Sequence, residues 1–150
     1  MKFNEQKGNL FELDNEKYAY VHCISSDCEM GKGIAVEFKN KYKGMQKYLR
    51  EKVENAYKSY PLCIPAIRNK DNKVLVLFLV TKNKYWNKPT YDTLRTTLID
   101  MRDFCFRHNV KYLAMPKIGC GLDRLQWGKV REIIKELFDD TDIVIEVRYL

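Results

Sequence analysis

One basic and one acidic side chain follow two strand-like segments of this chain, and together they could carry out covalent catalysis. Lys82 comes after an apolar run at residues 74–80 and Thr81. Asp123 lies in a glycine-bracketed loop that follows the apolar, β-branched segment at residues 110–115. An amine becomes nucleophilic where partial desolvation favours its neutral form, and a carboxylate beside it can transfer protons. If the two strands are parallel, both groups lie at the sheet edge where open α/β folds bind ligands.

Each of the two residues also has a simpler interpretation. Lys82 shares its polar loop with Lys84 and Lys88, so it can be a solvated lysine. Asp123 precedes Gln126 by three residues, which is the spacing of a helix capping box with the aspartate as N-cap. From the residues alone, the solvated lysine and the cap are favoured. A cap needs only one carboxylate oxygen, so capping and catalysis are compatible.

Two glycine-containing loops predict the binding of an anion. Gly119 and Gly121 bracket Cys120 in the loop at residues 118–123, and Gly31 and Gly33 precede a helical pattern. Backbone N–H groups at such turns and at helix N-termini bind phosphate. A plain turn remains the favoured interpretation of Gly31 and Gly33 taken alone, because two glycines in this spacing are a weak signal.

The cysteines and histidines predict neither a metal site nor a disulfide framework. Cys23, Cys28, Cys63, Cys105 and Cys120 are odd in number and irregularly spaced, without a paired CxxC motif. This usage is typical of a reducing compartment, so we expect a cytoplasmic protein, or a nuclear one in a eukaryote. Cys120 could be a nucleophile. A small side chain packed beneath its loop is the favoured alternative, because no histidine lies nearby in the sequence.

The bulk composition predicts one globular domain spanning residues 1–150. The chain has 45% hydrophobic residues, a net charge of +7 and a pI near 9.1. The positive charge suits an anionic ligand or a polyanionic partner, but the basic residues are spread along the chain, so nucleic-acid binding is only an option. The N-terminal residues lack an apolar core of signal-peptide length, and no apolar run approaches the length of a membrane span. We therefore expect a protein that is neither exported nor bound to a membrane. We also expect a monomer.

Strand and helix patterns alternate along the chain and predict an α/β sandwich with a parallel or mixed sheet. Strands are expected at residues 18–23, 74–80, 110–115 and 143–150. Helices are expected at residues 34–42, from after Gly44 to about 53, from Pro89 to near His108, and at 126–138. The loops at residues 25–33, 81–88 and 118–123 should then gather at one edge of the sheet. Tyr85 and Trp86 in the second loop could stack on a ligand ring or pack over the sheet edge.

Taken together, these loops resemble those of the macrodomains, most closely the terminal ADP-ribose protein glycohydrolase type. The resemblance covers nearly the whole chain and is carried by six segments. They are KGNLF (7–11), HCISSDCEMGKGIAVEFK (22–39), LVTKNK (79–84), KPTYDTL (88–94), MPKIGCGLDRLQW (115–127) and TDIVIEVRYL (141–150). The first loop, CISSDC, lacks the paired asparagines of other macrodomain hydrolases, which agrees with the lysine-dependent subclass.

The resemblance implies a three-layer α/β/α sandwich that binds ADP-ribose and removes it from carboxylate side chains of modified proteins, without a cofactor. It implies that Lys82 is the catalytic nucleophile and Asp123 the acid/base. Asn9 and Leu10 match the adenine end of the ligand. The remaining positions matched to ADP-ribose binding are Ser25, Gly31, Gly33, Ile34, Thr81, Pro116, Ile118, Gly119, Cys120, Gly121 and Leu122. Asn9 departs from the usual aspartate, and a neutral amide is a weaker acceptor for the adenine amino group.

Three other functions remain open. The same Lys82 and Asp123 could remove ADP-ribose from nucleic-acid bases, which the basic charge favours. A reader that binds ADP-ribose without catalysis needs neither residue. Deacetylation of O-acetyl-ADP-ribose could occur at the same site as a side activity.

Overall fold

A six-stranded mixed sheet forms the centre of the molecule in the computed structural model, which describes residues 1–150. The strands are β1 (Lys2–Lys7), β2 (Ala19–Ser25), β3 (Leu62–Arg68), β4 (Lys73–Lys82), β5 (Tyr112–Met115) and β6 (Val144–Tyr149). They lie in the order β1-β6-β5-β2-β4-β3. Only β3 is antiparallel to its neighbour, so β2, β4 and β5 end at the same edge.

Helices cover both faces of the sheet and complete a three-layer α/β/α sandwich, as predicted. They are α1 (Ile34–Lys41), α2 (Met45–Glu54), α3 (Tyr91–His108) and α4 (Trp127–Phe138), with a short 3-10 helix at Leu10–Glu12. Alternate residues of β2 enter different layers of the core. Ala19 and Val21 pack with α3 and α4, whereas Tyr20 and Ile24 pack with α1 and α2. No helix has both the length and the apolar character needed to cross a membrane.

The strands that the sequence did not predict are the two edge strands. β1 is mostly polar, and its side chains are partly or fully exposed. β3 contains Pro65, which is tolerated because an edge strand has one free side. β1 therefore carries a weak apolar pattern, and Pro65 interrupts the apolar run of β3, whereas the central strand β4 is an almost unbroken apolar run.

Three local predictions are corrected by the structure. Lys82 is the last residue of β4 rather than a loop residue. Helix α3 begins at Tyr91 behind a Thr90 capping box, so Pro89 lies outside the helix. The predicted cap at Asp123 is wrong, because α4 begins at Trp127 with Gln126 as its N-cap. Asp123 is therefore free of the helix and available to other partners.

Candidate active site

A cavity of about 790 Å³ lies at the edge where β2, β4 and β5 end. Its walls come from the three loops that follow these strands, as the sequence predicted. The first loop contributes Gly31 and Gly33, the second Tyr85 and Trp86, and the third Gly121. We call this space the main cavity.

Lys82 and Asp123 meet in the main cavity. Lys82 Nζ donates a hydrogen bond of 2.5 Å to Asp123 Oδ1. The two side chains are only 12% and 15% exposed, so the ion pair is largely shielded from bulk water. A shielded amine in contact with a carboxylate can pass a proton to it and then act as a nucleophile.

The backbone around Lys82 is held by the neighbouring strand. Lys82 lies opposite Ser25 in the parallel pairing of β2 with β4. The Ser26 amide donates to the Lys82 carbonyl at 2.9 Å, which extends this pairing one residue beyond β2. The nucleophile is therefore attached to a rigid strand end rather than to a free loop.

The glycine loop after β5 requires glycine at one of its two bracketing positions. Gly119 has φ of +73°, in the left-handed region, and a Cβ there would lie 3.0 Å from Leu125 Cδ1. Any side chain at Gly119 would therefore be strained and crowded. The Leu125 amide donates to the Gly119 carbonyl at 2.8 Å, which closes the turn.

The N-terminus of α1 offers unpaired backbone donors to the same cavity. Its N-cap is Gly33, with φ of +62° and no side chain to accept from the first amides of the helix. These amides, together with the positive end of the helix dipole, favour an anion. Leu122 of the third loop comes within 3.9 Å of the Cβ position of Gly33, so the first and third loops enclose this end of the cavity.

A second cavity of about 510 Å³ adjoins the first. The two cavities share five lining residues: Gly33, Ile34, Pro116, Lys117 and Gly121. The second cavity extends the groove along the sheet edge toward β1 and β6 and is also lined by Asn9, Leu10 and Tyr149. A long ligand with an anionic centre and a group at each end would fit such a groove.

Asn9 is partly engaged within the protein. As N-cap of the 3-10 helix, its Oδ1 accepts from the Phe11 amide at 3.0 Å. The amide oxygen keeps one further lone pair for a ligand. This local bond explains how Asn9 can be held at the end of the second cavity.

Most residues that the sequence assigned to the site line one of the two cavities. In the main cavity these are Ser25, Gly31, Gly33, Ile34, Lys82, Pro116, Ile118, Gly119, Gly121, Leu122 and Asp123. The second cavity adds Asn9, Leu10 and Cys120. Thr81 lines neither cavity, because its side chain is buried within the sheet and its hydroxyl has no hydrogen-bond partner.

Several cavity residues were missed by the sequence analysis. Lys117 lines both cavities, and its Nζ lies 4.0 Å from the centre of the Tyr149 ring. Arg148 and Tyr149 come from β6, which carries no sign of chemistry beyond its strand pattern. Lys32, Lys88 and Arg124 add positive charge to the main cavity. The residues from the C-terminal strand are recognised as cavity residues only in the folded chain, where β6 lies close to the third loop.

Neither the cysteine of the glycine loop nor the buried histidine has the properties of a catalytic group. Burial raises the pKa of Cys120 to about 11, and its Sγ contacts the Ile118 carbonyl at 3.3 Å. Its side chain packs against the core, which confirms the structural interpretation. Burial lowers the pKa of His22 to about 3, so the ring is neutral at physiological pH, and it stacks on Phe38.

Comparisons with known proteins agree on one family. A family model described as Macro domain matches residues 21–134. ADP-ribose glycohydrolase OARD1 of Bos taurus is 43% identical over 141 residues, which cover 94% of this chain and 87% of that protein. The Homo sapiens protein of the same name is 41% identical with the same coverage. The solved macrodomain of Thermus aquaticus DarG has a TM-score of 0.84 at 21% identity and covers 99% of this chain and 97% of its own.

Proposed function

Since this chain belongs to the macrodomain family, we propose that it is an ADP-ribosyl hydrolase that releases ADP-ribose from carboxylate side chains of modified proteins. The relatives named ADP-ribose glycohydrolase support the activity. The observation that carries the assignment to this site is the contact between Lys82 and Asp123 in the main cavity. A protein that only binds ADP-ribose would have no need for this shielded pair.

The proposed ligand matches the groove in charge and in length. The amides at the start of α1 and the third loop would hold the diphosphate. The adenine would lie in the second cavity near Asn9 and Leu10, and the terminal ribose in the main cavity near Lys82. Binding along the whole groove would align the anomeric carbon of the terminal ribose with the nucleophile.

The pair can then cleave the ester in two steps. Asp123 takes a proton from Lys82, and the freed amine attacks the anomeric carbon, so that a C–N bond forms as the C–O bond to the leaving carboxylate breaks. The attacking nitrogen passes its surplus proton to the leaving carboxylate, which departs as the carboxylic acid. The resulting glycosylamine opens to an imine of the sugar aldehyde. Water adds to the imine carbon, and Asp123 returns the proton as the lysine amine departs. The sum is ester plus water giving a carboxylic acid and ADP-ribose.

A direct assay tests the proposed function. The protein is incubated with a peptide that carries ADP-ribose on glutamate, and free ADP-ribose is measured by mass spectrometry. The parent protein and Lys84→Ala should release ADP-ribose, because Lys84 is exposed and lines neither cavity. Lys82→Ala should not. Equal release by Lys82→Ala and the parent would contradict the mechanism.

A second substrate, ADP-ribose linked to a nucleic-acid base, is supported by the surface beside Lys82. Tyr85 and Trp86 are 55% and 64% exposed and line the main cavity, where bases could stack on them. Offering ADP-ribosylated single-stranded DNA and the glutamate-linked peptide in competition separates the two substrates. Hydrolysis of O-acetyl-ADP-ribose at the same site, as a side activity, is testable in the same format.

A further inference from the structure

We propose that Asp27, which the proposed mechanism does not use, fixes the Ser25 hydroxyl as a hydrogen-bond acceptor for a hydroxyl group of the sugar beside Lys82. This inference rests on the proposed function in one respect, because it takes the sugar beside Lys82 to be the terminal ribose of ADP-ribose. Asp27 lines neither cavity, so it acts through Ser25 and is a positioning residue.

The Asp27 carboxylate connects two of the three loops of the site. Its Oδ1 accepts from Ser25 Oγ at 2.5 Å and from the Glu29 amide at 3.4 Å. Its Oδ2 accepts from the Tyr85 amide at 3.0 Å. The end of β2 is thus tied to the loop that follows Lys82.

These bonds also keep the carboxylate ionised. Burial raises the pKa of Asp27, but the hydrogen bonds from the Ser25 hydroxyl and the Tyr85 and Glu29 amides outweigh it and hold this pKa below its usual value. An ionised carboxylate only accepts hydrogen bonds, so the Ser25 hydroxyl must be the donor of the pair.

The consequence for a ligand follows from the chemistry of a hydroxyl group. Serine has one hydroxyl proton, and in Ser25 it is committed to Asp27, so only lone pairs remain. Ser25 is 5% exposed and lines the main cavity. It therefore pairs with a ligand hydroxyl and repels a phosphate oxygen, which distinguishes the sugar position from the diphosphate position.

The position of Ser25 makes its preference for a ligand hydroxyl over a phosphate oxygen relevant to catalysis. Ser25 lies opposite Lys82 in the pairing of β2 with β4, and paired strands are about 4.8 Å apart. A hydroxyl held by Ser25 is therefore next to the carbon that Lys82 would attack. A small displacement of that sugar would slow the reaction, because attack requires aligned atoms.

Binding measurements test the proposal without turnover. The dissociation constants of ADP-ribose and of ADP, which lacks the terminal ribose, are measured by calorimetry for the parent, Ser25→Ala and Asp27→Asn. Each variant should bind ADP-ribose about tenfold more weakly, with ADP binding unchanged. Ser25→Ala removes the acceptor itself. In Asp27→Asn the Tyr85 amide takes the one remaining oxygen, so the new N–H donor faces Ser25 Oγ and the serine proton is no longer fixed. The double variant should be no weaker than Ser25→Ala, because Asp27 acts through Ser25.

Asp14→Asn is the matched control. Asp14 Oδ1 accepts from the Glu16 amide at 2.9 Å in a loop that lines neither cavity, so this variant should bind both ligands like the parent.

Two results would overturn the proposal. One is unchanged ADP-ribose binding in Ser25→Ala, a variant that keeps the Asp27 carboxylate and remains informative if Asp27→Asn does not fold. The other is equal weakening of ADP and ADP-ribose, which would mean that the loop is merely disrupted. A parent protein that binds ADP-ribose without hydrolysing the ester would contradict the proposed function and leave this test intact.

Discussion

Lys82 Nζ lies 2.5 Å from Asp123 Oδ1, although forty-one positions separate the two residues in the chain. β4 carries the amine, and the loop after β5 carries the carboxylate. Between these strands lies β2, whose last residue, Ser25, is paired with Lys82. The ion pair therefore bridges two strand ends across a third strand and lies beside the site at which we place the terminal ribose.

Replacement of the carboxylate should trap the reaction halfway. In Asp123→Ala, turnover of the glutamate-linked substrate should fall by about 10³-fold, because the proton transfers lose their acid/base group. Some lysyl–ADP-ribose adduct should accumulate, since its hydrolysis also needs that group. Intact-protein mass spectrometry after denaturation would detect the adduct as an added ADP-ribosyl mass.

The lysine variant provides the control for this trap. Lys82→Ala should show neither turnover nor an added mass, even when Asp123 is replaced as well. An adduct that persists in Lys82→Ala/Asp123→Ala would place the covalent link on another residue and contradict the assignment of Lys82.

The ion pair should also couple the two residues energetically. A double-mutant cycle with Lys82→Met and Asp123→Ala, measured by urea unfolding, should give a coupling free energy of about 2 kcal/mol, because each single change leaves one shielded charge unpaired. The exposed pair Lys111–Asp142, with Nζ and Oδ1 2.9 Å apart, is the comparison. Its coupling should be below about 1 kcal/mol. Equal coupling in the two cycles would show that the cavity does not shield Lys82 and Asp123.

Gly119→Ala should weaken ADP-ribose binding while the protein stays folded. The added Cβ would meet Leu125 Cδ1 at 3.0 Å at a φ of +73°, so the backbone of the third loop would be strained and the Leu125 side chain must shift. Calorimetry should show about tenfold weaker binding, as expected when the loop that orients a ligand shifts. Gly128→Ala is the control, because Gly128 lies in α4 with open space at its Cβ position. That change should leave binding intact and raise the unfolding free energy by about 0.5 kcal/mol.

Asn9→Asp should strengthen binding of the adenine end. A carboxylate is a stronger acceptor than an amide oxygen, and it can still accept from the Phe11 amide as the N-cap. We expect about fivefold tighter binding of both ADP-ribose and ADP, since a charge-assisted hydrogen bond is roughly twice as strong as a neutral one. Ribose 5-phosphate, which has no adenine, should show no gain. A gain with ribose 5-phosphate would place Asn9 away from the adenine.

His22 should make the fold sensitive to acid. Burial lowers the pKa of His22 from 6.5 in the unfolded chain to about 3 in the folded protein. Between these values the unfolded chain binds more protons, so the unfolding free energy falls as the pH drops below 6.5. One such group removes about 1.4 kcal/mol per pH unit, or about 2 kcal/mol by pH 5.

His22→Leu isolates this contribution. Urea unfolding of the parent and the variant at several pH values should show a smaller loss of stability for the variant between pH 6.5 and 5. Parallel curves would mean that His22 is accessible to protons in the folded state.

The sandwich and the edge that carries the site were predictable because they follow from local patterns. The apolar run of β4 and the helical periodicity of α4 each reflect burial along a few consecutive residues. The parallel arrangement of strands that alternate with helices then brings the following loops together. Composition and spacing also predicted that Cys120 is not a nucleophile, and the burial of its side chain agrees with this prediction.

The partners of individual side chains were decided only by the tertiary structure. Asp123 has the spacing of an N-cap, yet a turn at residues 121–124, with Arg124 at φ of +62°, delays α4 and leaves the carboxylate to Lys82. In the sequence, Asp27 is one of several polar residues in its loop. Only the folded structure brings the Tyr85 amide of another loop to its carboxylate. Local spacing reflects forces within one or two helical turns, whereas such contacts depend on strand register and loop path, which only packing of the whole chain sets.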